Sequence, residues 1–281
     1  MIEPLPDVLI LPVVRAALAE DLGRAGDVTA QACVPAGTIL SAALAVRRGG
    51  VVAGLDCARL AIAELDPKAI FQPEAQDGQT VAAGTVLAMV RGDARAILSA
   101  ERTALNLLGR LCGVATLTQD YVDAVRGARA RIADTRKTTP GLRALEKYAV
   151  RCGGGLNHRF GLDDAILIKD NHVAACGSVG EALRRAKAAA GHLMKVEVEV
   201  DSLVQLQEAL AFDPDVIMLD NFTLQDLREA VAIAGGRVVL EASGGVTLES
   251  VKAIAETGVD VISVGALTHS PRCLDIGLDA V

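Results

Sequence analysis

Three observations predict an α/β protein built from two unlike parts. From residue 131 onward, short β-branched runs alternate with helical segments, at intervals of about 20–30 residues. The first hundred residues mix strands, helices and glycine turns without that rhythm. Each run after residue 131 also ends in polar residues or glycine.

The second part carries the stronger pattern. RIADT from residue 131, AILIKD (165–170), KVEVEV (195–200), VIMLD (216–220), RVVLEAS (237–243) and VDVISVG (259–265) read as strands. Helical spacing covers 143–152, 178–191, 202–212, 223–234 and 247–257. Repeated β–α units make a parallel sheet with right-handed crossovers. No G-x-G-x-x-G follows the first strand, so a barrel is favoured over a doubly wound dinucleotide sheet.

In the first part, 13–20 and 56–65 read as helices, 39–54 as strand and Gly-Gly turn, and 71–98 as β-rich. Residues 99–126 read as a long helix between the parts, with Ser99 as its N-cap. The run DGQTVAAGTVLAMVRG (77–92) resembles the hammerhead turn of biotinyl and lipoyl carrier domains. Those domains present a modifiable lysine on a hairpin tip, whereas residues 49–100 hold only Lys68, in the wrong setting. The run is therefore read as a structural β element.

Half of the 281 residues are apolar, which allows a sizeable core, and the absence of Trp makes it aliphatic. The net charge of −7 argues against nucleic-acid or anionic-membrane partners, which need a broad basic face. Locally the sign reverses. Asp134 to His172 holds seven basic residues and five acidic, against eight and sixteen from Val173 onward. One cationic island in an acidic chain suits a small anionic ligand. The six cysteines lack C-x-x-C spacing and are expected to be reduced and mostly buried. The N-terminus lacks a signal-peptide pattern and no segment reaches membrane-spanning length, so a cytoplasmic location is expected.

In a parallel β/α barrel, reactive groups sit where strands run into their following loops. The first strand delivers Asp134, Thr135, Arg136 and Lys137, and the next Lys169, Asp170, Asn171 and His172. Then come Glu199, with Glu197 on the same face by strand period, followed by Asp220 and Asn221. Glu241 precedes Ser243, Gly244 and Gly245, and the last strand runs into Gly265, Ala266, Leu267, Thr268 and His269. The glycine-rich stretch 153–161 adds His158 and Arg159. Each has a plainer reading: Lys169 as a surface lysine, Glu199 as a solvated charge, Asp220 as a helix cap, Arg136–Lys137 and His158–Arg159 as solvated pairs. Six polar strand ends in register favour a site. Arginine grips carboxylates bidentately, so Arg136, Arg159 and Lys169 suit a dicarboxylate. The glycine loops suit a phosphate. Glu199 and Asp220 suit Mg²⁺ and sugar hydroxyls. Zinc spacing and a G-x-S-x-G nucleophile are both absent.

The run DTRKTTPGLRALEKYAVRCGGGLNHRFGLDDAILIKDNH resembles the signature of the quinolinate phosphoribosyltransferase family. ERTALNLLGRLCGVAT, KVEVEV, VIMLDNF, EASGGV and VGALTHS are similar to further family segments, in the same order. The resemblance covers nearly the whole chain. It implies an N-terminal α/β sandwich (1–110, with the connecting helix) and a C-terminal incomplete, open parallel α/β barrel (111–281). It implies transfer of phosphoribose from phosphoribosyl pyrophosphate to quinolinate with loss of CO₂ (EC 2.4.2.19), in NAD biosynthesis. Mg²⁺ and no organic cofactor are expected. The implied homodimer lets Arg102 reach the neighbouring site. Arg102, Arg136, His158, Arg159 and Lys169 would grip the quinolinate carboxylates. Lys137 would lie near pyrophosphate, and Glu199 and Asp220 near ribose and Mg²⁺. Ser243–Gly245 and Gly265–His269, including Ala266 and Leu267, would hold the 5′-phosphate. Lys137, Lys169, Glu199 and Asp220 are the expected catalytic groups. Alternatives are a pyrophosphorylase of the same fold with another acceptor, such as the one associated with molybdenum transport, a Schiff-base aldolase using Lys169, and a non-catalytic phosphate-binding module.

Overall fold

Apolar residues alternate with glutamates in KVEVEV, a period that suits a strand with two differently occupied faces. In the computed structural model of the protein, which describes residues 2–281, this run supplies a strand of a parallel sheet, next to one edge. The chain divides into two compact units. One holds the chain up to Gln119, Thr138–Gly154 and Leu267–Val281, and the other Asp120–Lys137 and Gly155–Ala266.

The chain begins with α1 (Asp7–Leu22), α2 (Val28–Cys33), β1 (Ile39–Val46), β2 (Gly50–Val51), α3 (Leu55–Leu65), β3 (Ile70–Pro73), β4 (Thr80–Val81), β5 (Val86–Asp93) and α4 (Ala94–Ala124). Ile10, Val14 and Leu18 fall on one helical face of α1 and are buried, and α1 packs against α3. Strands β1, β5 and β3 form an antiparallel sheet. Its other edge is β12 (Ile276–Ala280), antiparallel to β1. The sequence pattern does not announce this return strand: IGLDA is short, and its β character comes from pairing with residues more than 200 positions away. The hammerhead-like run forms β4 and β5, and β4 pairs with β2. Leu44, Leu87, Ile97, Leu108 and Leu111 are fully buried in this aliphatic core.

Helix α4 starts five residues before the expected Ser99. Asp93 caps it, its Oδ1 accepting the Ala96 N–H at 3.0 Å. A carboxylate at the end of β5 captures that amide first. Ser99 lies inside the helix and donates to Asp27 Oδ2 at 3.1 Å.

The second part adds β6 (Arg131–Ala133), α5 (Arg143–Cys152), β7 (Ile166–Ile168), α6 (Asp170–Cys176), α7 (Val179–Ala189), β8 (Val196–Val200), α8 (Leu203–Leu210), β9 (Val216–Asp220), α9 (Leu224–Ala234), β10 (Val239–Ser243), α10 (Val251–Ala255), β11 (Val261–Ser263) and α11 (Ala266–His269). The six strands of the second unit are all parallel, in the order β6-β11-β10-β9-β8-β7. From β7 to β11, neighbours in sequence are neighbours in space, as in a barrel. The ring stays open between β6 and β7; on that side Ala133 of β6 makes an isolated parallel bridge to Leu156. Ser178, Ser202 and Thr223 cap α7, α8 and α9 by accepting N–H bonds three residues on. Ile132, Leu183, Leu206, Ile217, Leu219 and Ile262 fill the core.

Among the described residues no helix is long and apolar enough to cross a membrane. The cysteines are unpaired, but only Cys57, Cys112 and Cys152 are buried. Burial pushes these thiols up to about 12. Cys33 and Cys273 are exposed; they lie where α2 ends and beyond α11, outside the core strands.

Candidate active site

Parallel strands bring their C-terminal ends to one rim, so residues far apart in sequence meet there. A cavity of about 560 Å³ opens at this rim in the second unit. Thr135, Arg136 and Lys137 follow β6, Lys169 follows β7, Glu199 lies near the end of β8, and Asp220 and Asn221 end β9. Ser243, Gly244 and Gly245 come from β10, while His158 and Arg159 enter through the gap beside β6.

The plainer readings fare differently. Thr223, not Asp220, caps α9, with its Oγ1 accepting the Asp226 N–H at 3.2 Å. Asp220 lines the cavity and accepts the Asn221 amide at 2.7 Å. Lys169 Nζ donates to Glu199 Oε2 at 3.2 Å. The Lys169 main chain is held in turn: its N–H donates to His172 Nδ1 at 2.9 Å. Arg136 and Arg159 each bury their Nε without a hydrogen-bond partner among the described residues. Arg159 donates from Nη1 to the Ala165 carbonyl at 3.0 Å. Burial, and then Arg136, pull its guanidinium below the usual range. Unpaired guanidinium nitrogens out of water are costly unless an anion meets them.

Gly244 is required for steric reasons. Its φ is +95°, and a Cβ there would collide with Asn221 Oδ1. Asn221 itself is left-handed (φ 56°), and its N–H donates to the Ser243 carbonyl at 2.9 Å. The β9 and β10 loops are thus locked together with glycine backbone exposed to the cavity.

Beneath the rim lies a buried acidic floor. Asp134 has no exposed surface. It accepts the His158 N–H at 2.8 Å and the Asn157 amide at 2.7 Å. His158 Nε2 lies 3.0 Å from Glu197 Oε2 and 3.7 Å from Glu241 Oε1. Burial, and then Glu197, push the Glu241 carboxyl up to about 7.

Not every expected residue lines the cavity. Gly265 and Ala266 follow β11 but are absent from its lining. Leu267, fully buried, and His269, exposed with Nδ1 2.6 Å from Ser270 Oγ, belong to the first unit. Arg102 is exposed on α4 in that unit, 3.9 Å from Glu101. The lining also includes Leu167, Met218 and Ser263, which the reading of polar strand ends passes over. Leu167 and Met218 sit two residues before Lys169 and Asp220, so strand alternation already placed them on the same face.

Two family models match. Residues 27–112 match the quinolinate phosphoribosyl transferase N-terminal domain, and 114–279 the C-terminal domain. The chain belongs to the quinolinate phosphoribosyltransferase family. It is 52% identical, over 95% of each chain, to a carboxylating nicotinate-nucleotide pyrophosphorylase of Mycobacterium leprae. It is 46% identical to a probable one of Bacillus subtilis, over 92% of this chain and 89% of that one. Among solved structures, the nicotinate-nucleotide pyrophosphorylase of Francisella tularensis superposes with a TM-score of 0.95 at 41% identity. That match covers 100% of this chain and 99% of the other. An antiparallel-sheet unit and a six-strand parallel unit are thus the architecture of a quinolinate phosphoribosyltransferase.

One further group has metal-ligand types: His158, Glu197 and Glu241 offer atoms within 4.8 Å of one another. Its histidine is already committed, because Nδ1 accepts the Arg159 N–H at 2.8 Å and Nε2 faces Glu197. Glu199 and Asp220, two carboxylates on the cavity wall, fit a hard cation that brings phosphate and water ligands of its own.

Proposed function

We propose that the cavity in the parallel unit transfers phosphoribose from phosphoribosyl pyrophosphate to quinolinate, releasing pyrophosphate and CO₂ and giving nicotinate mononucleotide. The observation that carries this reading is the pair of buried, unpartnered guanidinium nitrogens of Arg136 and Arg159 in one cavity with Lys169. Three cations around a small cavity suit a pyridine with two carboxylates.

Arg136, Arg159 and Lys169 hold the dicarboxylate, and Lys137 lies toward the pyrophosphate leaving group. Ser243, Gly244 and Gly245 receive the 5′-phosphate. The resemblance extends that cradle to Gly265, Ala266, Leu267 and His269. Glu199 and Asp220 face the ribose and stabilise the positive charge that develops on its reacting carbon. When bound, Mg²⁺ would sit at Glu199 and Asp220 and neutralise phosphate charge. Once the ring nitrogen carries the sugar it is cationic, and its charge stabilises the carbanion left on the neighbouring ring carbon when the adjacent carboxylate departs as CO₂; that carbon then takes a proton from solvent. No organic cofactor is needed for that step. The protein contributes orientation and fixed charge. Arg102 is assigned to the site of a neighbouring copy, which makes the working unit a homodimer.

Incubation with quinolinate, phosphoribosyl pyrophosphate and Mg²⁺ tests the reading. Nicotinate mononucleotide and CO₂ are expected in equal amounts, and no turnover would contradict it.

A further inference from the structure

Asn221 stands where β9 runs into its loop, and its main chain is left-handed, with φ 56°. A side chain is strained in that conformation, asparagine less than most, whereas glycine adopts it freely. Such strain persists where the surroundings impose it, and it gathers at functional sites.

Three contacts surround the residue. Its Nδ2 donates to Asp220 Oδ2 at 2.7 Å. Its main-chain N–H donates to the Ser243 carbonyl at 2.9 Å. Its Oδ1 fills the space that a Cβ on Gly244 would need. Both Asp220 and Asn221 line the cavity.

A carboxylate torsion is broad, so an aspartate at a strand end does not fix its own plane. The amide of Asn221 fixes it by holding Oδ2. No other hydrogen bond holds the Asp220 side chain among the described residues, so Oδ1 is left for a ligand. Aspartate at 221 would set a second carboxylate against the first, and glycine would offer no donor.

We propose that Asn221 is a positioning residue for the transfer: its amide fixes the Asp220 carboxylate for the ribose, while its main chain braces the Ser243–Gly245 loop for the 5′-phosphate. The inference rests on the transferase reading above.

Two variants test it, by steady-state kinetics, thermal unfolding and calorimetric binding of phosphoribosyl pyrophosphate with Mg²⁺. Asn221→Gly keeps the main-chain conformation and removes the amide. Asn221→Asp keeps the size and turns the donor into an acceptor. Both should lower kcat/KM for phosphoribosyl pyrophosphate about 10- to 100-fold, the worth of one charge-assisted hydrogen bond. Asn221→Gly should unfold within a few degrees of the wild type. In an Asp220→Ala background, Asn221→Gly should weaken phosphoribosyl pyrophosphate binding by less than about 2-fold, because the amide acts through Asp220. Near-wild-type activity in Asn221→Asp, or an undiminished loss without Asp220, would overturn the inference.

A spectrum without ligand keeps the two readings apart. The chain has four asparagines. In protein labelled with ¹⁵N-asparagine, the Asn221 side-chain amide is assigned by its loss in Asn221→Gly, or in Asn221→Asp if the glycine variant does not fold. One of its protons should exchange slowly, and this protection should vanish in Asp220→Ala. Equally fast exchange in both proteins would overturn the inference. A wild type that neither turns over nor binds phosphoribosyl pyrophosphate would overturn the transferase reading, while the exchange rates still decide the role of Asn221.

Discussion

Lys169 Nζ lies 3.2 Å from Glu199 Oε2 and ties the end of β7 to the neighbouring strand β8. The lysine is about half exposed, so the pair adds little to folding, less than about 1 kcal/mol. Its value lies in placing an ammonium beside the cavity. Lys169→Ala is expected to lower kcat/KM at least about 100-fold while shifting stability by less than about 1 kcal/mol. Steady-state kinetics beside urea unfolding will show whether the two effects separate.

Arg136 buries an unpartnered Nε at the end of β6. Arg136→Ala should raise the quinolinate KM about 10- to 100-fold, the worth of one or two charge-assisted hydrogen bonds. Phosphoribosyl pyrophosphate should be affected far less. Equal loss of both would contradict the assignment.

Gly244→Ala forces a side chain into φ +95° against Asn221. A destabilisation of about 1–3 kcal/mol is expected, together with a rise in the KM for phosphoribosyl pyrophosphate that exceeds any rise for quinolinate. Calorimetric unfolding and substrate-by-substrate kinetics check both.

Glu241 titrates near 7 in the fold, against roughly 4.3 when unfolded. A raised carboxyl favours folding below its unfolded value and loses that contribution as pH rises through 7. Glu241→Gln mimics the protonated form. Its stability relative to the wild type should therefore increase from pH 5 to pH 8, by roughly 1–3 kcal/mol. A gap that stays constant, or narrows, would speak against a protonated Glu241.

If Arg102 serves a neighbouring copy, Arg102→Ala and Lys169→Ala should each be nearly inactive alone and recover activity when mixed and allowed to exchange. A random heterodimer population restores at most about one quarter of the sites. Absence of any recovery would place Arg102 outside the site.

Much of the site was legible because parallel β/α units impose one rule on many positions. Arg136, Lys169, Glu199, Asp220 and Ser243 each stand at or near the C-terminal end of a strand, and all five line one cavity. The rule fails where loops leave the rim. Gly265 to His269 come after the last parallel strand as the others do after theirs, yet Leu267 turns into the first unit's core. Long-range pairing was also hidden. β12 gains its partner β1 only in the folded chain, and Ser99 lost the cap of α4 to Asp93, an equally good local candidate six residues earlier. The commitment of both His158 nitrogens has no sequence signal, because the main-chain amide of Arg159 is invisible in one-letter code.

Comparing quinolinate with nicotinate, its singly carboxylated counterpart, tests the central claim most directly. By titration calorimetry on the wild-type protein, a cavity built around Arg136, Arg159 and Lys169 should bind quinolinate at least about 100-fold more tightly, since one carboxylate would leave guanidinium donors unmet. Equal affinity for the two would contradict a site made for a doubly negative pyridine.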